Sequence, residues 1–446
     1  MIKSGTLASP WHPADELKSH RLEADATQTV AALALPPQFV FAAGVNIAKI
    51  PELWKSLWNW LAVWPDIQAF RAALAIWALV GVIVFTLVAI DPMGRSATKE
   101  YNNASENWQQ GTSLYKGKNK YLYLPQWAML YTPFNVLPRH VGEPLWRLVC
   151  IGTLACAIWT AARHLAPQKS GALFLIASAL ILPSALASAR NGQVNMPLAG
   201  FYLLAAIALA RERWHLTAIL LAVTLALKPI SIVPILLCGA LYPRLILPLI
   251  VWLAVMFGAA YLHPNPQFVT GQYQAFFDKL TNSAAKPSGH TWSDYAGMLK
   301  CFGLTLPDQI SFLIRAAAAV LTFGLCFLAL RTKDALPRAL TIMLFAVIYL
   351  MLFNPRTETN SYVILGIFIA LLAAWEGLVR KNHAAVAIWV FLALTLGNEN
   401  YGGYIYRSTN LWLKPLVALA LGVWLAGRVL KLPRGESPIF SPASNS

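Results

Sequence analysis

Apolar residues run along this chain in stretches too long for a soluble fold. Phe70–Ile90 reads FRAALAIWALVGVIVFTLVAI, with a single charge near its start. A run of that length crosses roughly 30 Å of hydrocarbon as an α-helix. Comparable runs predict spans over 70–90, 143–162, 171–187, 196–210, 214–227, 228–242, 245–262, 312–330, 339–353, 362–379, 384–397 and 411–427. The two that flank Lys228-Pro229 fall short of the ~20 residues a crossing needs, which predicts a broken helix pair. The run 121–138 (YLYLPQWAMLYTPFNVLP) is read as short or re-entrant, because a full crossing there inverts everything after it. The expected fold is all-α and polytopic, with about 12 transmembrane helices plus short re-entrant and amphipathic ones.

The remaining pattern fills in smaller elements. Leu53–Trp64 (LWKSLWNWLAVW) is short and Trp-rich, which predicts a helix lying in the membrane interface. Thr98 is placed to cap a helix from Lys99 to Gln110 that stops at Gly111. Tyr101, Ala104 and Trp108 share one face of it, so it is expected to lie on the membrane. His263–Asp308 has no strong periodicity and reads as a long functional loop.

Composition agrees. The chain of 446 residues is 57% hydrophobic and 12% charged, where soluble domains carry about 25% charge. Met1–Gln28 is polar and has no apolar core of a secretory signal. The organisation expected is an N-terminal cytoplasmic segment over 1–69, a transmembrane domain over 70–430 and a cytoplasmic tail over 431–446. A formal charge of +16 reflects basic clusters between spans, the positive-inside signature, rather than a nucleic-acid surface. These clusters are Arg163–Lys169, Arg211–His215, Arg244, Arg331–Arg338, Arg380–His383 and Arg428–Arg434. With them in the cytoplasm, the polar segments Asp91–Lys120, Arg190–Asn195, Lys228-Pro229, His263–Asp308, Asn354–Ser361 and Gly397–Asn410 collect on the opposite side. The five cysteines form no disulfide framework and read as small packing residues.

Several polar groups on that side are candidates for chemistry. Arg190-Asn191-Gly192-Gln193-Val194-Asn195 is either a polar turn or a set of groups for phosphate and sugar hydroxyls. Lys228 lies inside an apolar stretch, a costly position that favours function over snorkelling to the interface. Arg356, Glu358 and Asn360 sit together between two spans, where Arg356 and Glu358 either cap helices or pair with each other, or the group meets phosphate and sugar. Asp91 sits where the first span ends and is followed by Glu100 and Glu106 in the first external loop; a carboxylate there either ends a helix or solvates a loop, or deprotonates an acceptor hydroxyl. Lys116, Lys118 and Lys120 break the positive-inside trend and suit anionic headgroups or a lipid-linked phosphate, or simply a solvated loop.

Taken in order, these residues resemble glycosyltransferase family 87, also known as domain of unknown function 2029, of the C-type membrane glycosyltransferases. The resemblance rests on Gly111–Tyr115, Tyr123-Leu124-Pro125, Leu137-Pro138, Gly192-Gln193-Val194-Asn195 and Lys228-Pro229, over roughly residues 70–260. It implies an inverting transfer of a hexose, mannose in the best-known members, from a polyprenyl-phosphate donor to a lipid or glycan acceptor. Lys228, Arg356 and Arg190 are then expected at the donor phosphate, and Gln193, Asn195, Glu358 and Asn360 at sugar or acceptor hydroxyls. The family's base is an Asp about fourteen residues before the Gly of the Gly-x-x-x-Tyr motif. Here that place is near Ala97-Thr98, and Asp91 or Glu100 takes the role, Asp91 being favoured for its position at the membrane edge. The family's C-terminal His is also replaced, by Pro355-Arg356-Thr357-Glu358. No cofactor or metal is expected, since neither Asp-x-Asp nor a His cluster is present. The expected setting is the cell inner (plasma) membrane, with the site on the periplasmic or extracytoplasmic face and both termini cytoplasmic. Two other readings are a transferase that adds a charged sugar to lipid A or another glycolipid, and a flippase for a lipid-linked sugar.

Overall fold

The structure, a computed structural model, describes residues 50–94, 96–116, 121–285 and 291–441. The polar leader Met1–Gln28 and the lysines Lys118 and Lys120 lie outside the described residues. The described residues from Leu57 on form one compact unit. Secondary structure among the described residues is helical, with one isolated β-bridge between Thr332 and Gly435.

Among the described residues eight helices are long and apolar enough to cross a membrane: 66–90, 139–165, 167–191, 243–262, 308–329, 335–353, 359–380 and 413–431. Four shorter apolar helices, 195–210, 214–227, 229–241 and 383–395, complete the bundle. Every expected span falls on one of these twelve. The last four are shorter than a full crossing requires. In chain order the helices used below are α1 (Ile50–Val63), α2 (Asp66–Ile90), α3 (Lys99–Gln109), α4 (Pro125–Asn135), α5 (Arg139–Leu165), α6 (Ser170–Asn191), α7 (Asn195–Ala210), α8 (Trp214–Leu227), α9 (Ile232–Leu241), α10 (Pro243–Ala259), α11 (Pro266–Ala285), α12 (Tyr295–Cys301), α13 (Asp308–Ala329), α14 (Ala335–Phe353), α15 (Val363–Trp375), α16 (His383–Thr395), α17 (Gly403–Thr409) and α18 (Leu413–Lys431).

Burial sorts the helices by role. Every residue of α15 is buried, as expected of a helix that is apolar all round and sits at the centre. The outer helices α2, α10 and α13 instead expose large apolar side chains, among them Val82, Leu247 and Phe312. A belt of exposed Leu, Val and Phe around the bundle is covered by lipid, not water. The chain is a multi-pass membrane protein.

Two expectations need correction. The 263–308 segment is mostly helical: α11 and α12 lie within it. Asn265 starts α11, accepting from the Phe268 amide at 3.0 Å, and Val269, Gln272 and Phe276 form its buried stripe. A glutamine in that stripe masks the period. The face of α3 formed by Tyr101, Ala104 and Trp108 is covered by protein, not by membrane. Tyr101 meets Trp127 and Tyr131 of α4 edge-on, and Trp108 packs on His263 and Phe268. The 121–138 run forms the 11-residue α4, too short to span. Leu53–Trp64 is helical, as α1, with Trp58 packed over Gly377. Of the cysteines, Cys150, Cys238 and Cys326 are buried, while Cys156 and Cys301 are exposed.

Candidate functional site

The polar segments grouped by charge pattern are bonded to one another at one end of the bundle. α6 ends at Asn191 because Gly192 takes a left-handed conformation, φ 68° and ψ 26°, which costs an L side chain energy. The Gln193 amide then closes on the Ser188 carbonyl at 3.2 Å. A Cβ at Gly192 would lie 2.7 Å from both Arg147 Cζ and Thr98 Cγ2. Glycine is therefore required twice, for the turn and for the close approach. Trp146 Nε1 donates to the Gly192 carbonyl at 2.7 Å, and the Ala97 amide donates to that of Asn191 at 2.9 Å.

Beneath this turn lies a closed charge cluster. Glu143 and Arg147, one turn apart on α5, form an ion pair with 2% and 0% exposure. Thr98 Oγ1 donates to Glu143 Oε2 at 2.6 Å, Tyr131 to Oε1 at 3.2 Å, and Asn102 Nδ2 also donates to Oε1. Arg147 Nη2 donates to Ser96 Oγ at 2.8 Å. Thr98 stands at the predicted cap position of α3, but its hydroxyl serves Glu143 rather than the helix. The sequence reading missed this pair. Its signal is a Glu-x-x-x-Arg spacing at the mouth of an apolar helix, easily taken for interfacial charge.

Beside the same turn lies a second, open network. Gln193 Nε2 donates to Glu358 Oε2 at 3.1 Å. Asn195 Nδ2 donates to Gln193 Oε1 at 3.0 Å. Lys228 Nζ donates to Asn195 Oδ1 at 3.1 Å. A carboxylate only accepts and an ammonium only donates, so the two ends orient both amides between them. Glu358, Gln193 and Lys228 are half-buried.

Each member is held by local chemistry. Lys228 is extended, φ −156° and ψ 124°, because Pro229 ends α8. The Thr224 carbonyl accepts from the Lys228 amide at 2.9 Å and from Ser231 Oγ at 2.9 Å. Backbone opened at membrane depth is thus satisfied within the protein. Glu358 precedes the turn Thr359–Tyr362. The Ser293 amide donates to the Thr357 carbonyl at 2.9 Å, and Ser188 Oγ to that of Asn360 at 3.0 Å. From the other side Lys414, fully buried, donates to the Thr359 carbonyl at 3.0 Å and pairs with Glu399. Lys414-Pro415 was legible by the rule that singled out Lys228-Pro229.

Aromatic residues close the site. Tyr115 donates to the Tyr123 carbonyl at 2.7 Å, and the hydroxyls of Tyr123 and Tyr101 are 2.9 Å apart. Burial holds both phenols above their ordinary range, and the Glu358 charge raises both further. They remain neutral hydroxyls, suited to hydrogen bonding and not to proton abstraction.

The other candidates are placed as follows. Asn360 Oδ1 and Ser361 Oγ are buried without a hydrogen-bond partner, a state that asks for an explanation such as a ligand. Arg356 is half-buried, two residues before Glu358. Arg190 is exposed in the last turn of α6. Glu100 is half-buried in the first turn of α3, near enough for its charge to act on Tyr123 and Lys279. Asp91 is exposed and accepts from the Gly94 amide at 3.0 Å in a turn after α2. No group of three or more His, Cys, Asp or Glu with metal-binding geometry occurs among the described residues.

The sequence model of glycosyltransferase family 87 matches residues 121–355. The matched segment includes Tyr123, Glu143, Arg147, Gln193, Asn195 and Lys228, and ends three residues before Glu358. No curated protein matches the chain.

Proposed function

The chain belongs to glycosyltransferase family 87, and from that premise we propose that it transfers a hexose, mannose first, from a polyprenyl-phosphate donor to a lipid or glycan acceptor. It is a membrane glycosyltransferase; the donor, the sugar and the face of the membrane are this proposal. The observation that carries it is the open network, in which Lys228 lies among apolar helices and is joined through two amides to Glu358. A sugar phosphate on an isoprenoid chain needs both an apolar flank for the chain and a cation for the phosphate.

In this reading Lys228 meets the donor phosphate, with Arg356 and Arg190 as further cations. Gln193, Asn195 and Asn360 orient sugar hydroxyls, beside the Glu358 carboxylate. The phosphate gains charge as it leaves, and a fixed ammonium stabilises that change more than the ground state. The site faces the non-cytoplasmic side of the inner membrane, opposite the basic clusters, with both termini in the cytoplasm.

The test is transfer of radiolabelled sugar by the purified protein in lipid nanodiscs, with polyprenyl-phosphate mannose, glucose or arabinose as donor and a lipid extract as acceptor. A labelled product from one donor, reduced about 10²-fold in Lys228→Met, is the expected result. No product from any of the three contradicts the proposal and leaves the flippase reading ahead.

A further inference from the structure

We propose that Glu358, three residues beyond the family match, is the general base of the transfer; the inference rests on the glycosyltransferase reading above.

Among the described residues at this end of the bundle, the other carboxylates are differently placed. Glu100 is half-buried in the first turn of α3, where its charge acts on Tyr123 and Lys279, and it is not part of the chain of bonds that ends at Lys228. Glu143 is sealed by Arg147, Thr98, Asn102 and Tyr131. Glu399 is bound to the buried Lys414. Asp294 caps α12, accepting from the Gly297 amide at 2.8 Å. Glu106 pairs with Arg139 at 3.6 Å. Asp91 is in its turn with Gly94. Glu358 is half-buried, its Oε2 accepts from the Gln193 amide, and it is the carboxylate joined to Lys228 through the amide pair.

The polarity of that chain fixes the direction of reaction. A sugar laid along the two amides has a carboxylate at one end and an ammonium at the other. An inverting displacement needs this arrangement, with the attacking and leaving oxygens on opposite sides of the anomeric carbon. The acceptor oxygen bonds to that carbon as its proton passes to Glu358. The bond from the carbon to the phosphate oxygen breaks, and its electron pair leaves with polyprenyl phosphate beside Lys228. Tyr101 and Tyr123 stay protonated next to the carboxylate and do not compete for the proton. Besides meeting the sugar, Gln193 holds the Glu358 carboxylate and the Asn195 amide in place.

The experiment measures kcat, KM and donor binding for wild type, Glu358→Gln and Glu358→Asp in nanodiscs, with whichever labelled donor the wild type transfers. Glu358→Gln is expected to lower kcat by about 10²–10⁴-fold, with donor binding retained and activity partly restored by added formate. Glu358→Asp is expected to keep a measurable part of the rate. Wild-type transfer by Glu358→Gln overturns the assignment. So does a loss of rate matched by an equal loss of donor binding and not relieved by formate, because it makes Glu358 a binding group only. A wild type that transfers no polyprenyl-phosphate sugar strikes down the reading beneath the inference, an outcome distinct from an active wild type and an equally active Glu358→Gln.

Discussion

Two charged groups of similar make-up flank one glycine and differ in burial and in pairing. Glu143 and Arg147 lie under Gly192, buried, and both Glu143 oxygens have partners. Glu358 and Lys228 lie beside it, half-buried, and are kept apart by two amides rather than paired. The closed pair commits both carboxylate oxygens to protein donors and fixes the backbone. An open pair keeps capacity for something that arrives. A carboxylate and a cation build in one place and are poised to bind in the other, and saturation of the carboxylate separates the roles.

The largest effect expected from breaking the contrast is at Arg147. Arg147→Met leaves Glu143 charged and buried without its cation, a change that costs roughly 3–5 kcal/mol. The thermal transition of the detergent-solubilised protein should fall sharply, and Glu143→Gln in the same chain should recover part of it. An unchanged transition in Arg147→Met would refute a structural role for the pair. At Lys228, loss of function without loss of fold is expected. Lys228→Met should lower transfer by about 10²-fold and leave the thermal transition near wild type, by the same assay plus the transfer assay. A large drop in the transition would place Lys228 with the structural pair instead.

Gly192 couples the two groups, so its substitution should affect both readouts. Gly192→Ala places a Cβ against Arg147 and Thr98 at a left-handed position, and a loss of about 1–3 kcal/mol is expected. Transfer should fall with it, since Gln193 follows directly. The smallest effect is at Gln193. Gln193→Leu breaks the link to Glu358 without burying a charge, and should reduce kcat about tenfold with stability unchanged. Equal rates would show that the amide does not position the carboxylate.

Much of this was legible before any coordinates, and for a physical reason. Lys228 stands out inside an apolar stretch, and Gln193, Asn195 and Glu358 stand out in polar segments set between spans, so each could be picked out, and the structure bonds these four together. Glu143 and Arg147 could not, because charges at the mouth of a span look like ordinary interface residues. The helix α11 was hidden by Gln272 in its buried stripe, where the side chain accepts from the Leu114 amide at 2.9 Å. The face of α3 was read correctly as apolar, but sequence does not say whether lipid or a neighbouring helix covers such a face. Here the aromatic residues of α4 do.

The most direct test of the account is a cryo-EM structure of the full chain in nanodiscs with a non-transferable polyprenyl-phosphate sugar analogue. The account predicts the sugar ring along Gln193 and Asn195, its phosphate within hydrogen-bond reach of Lys228 Nζ and its open face toward Glu358. A sugar held at Asp91, with Glu358 and Lys228 still joined through their amides, would contradict it.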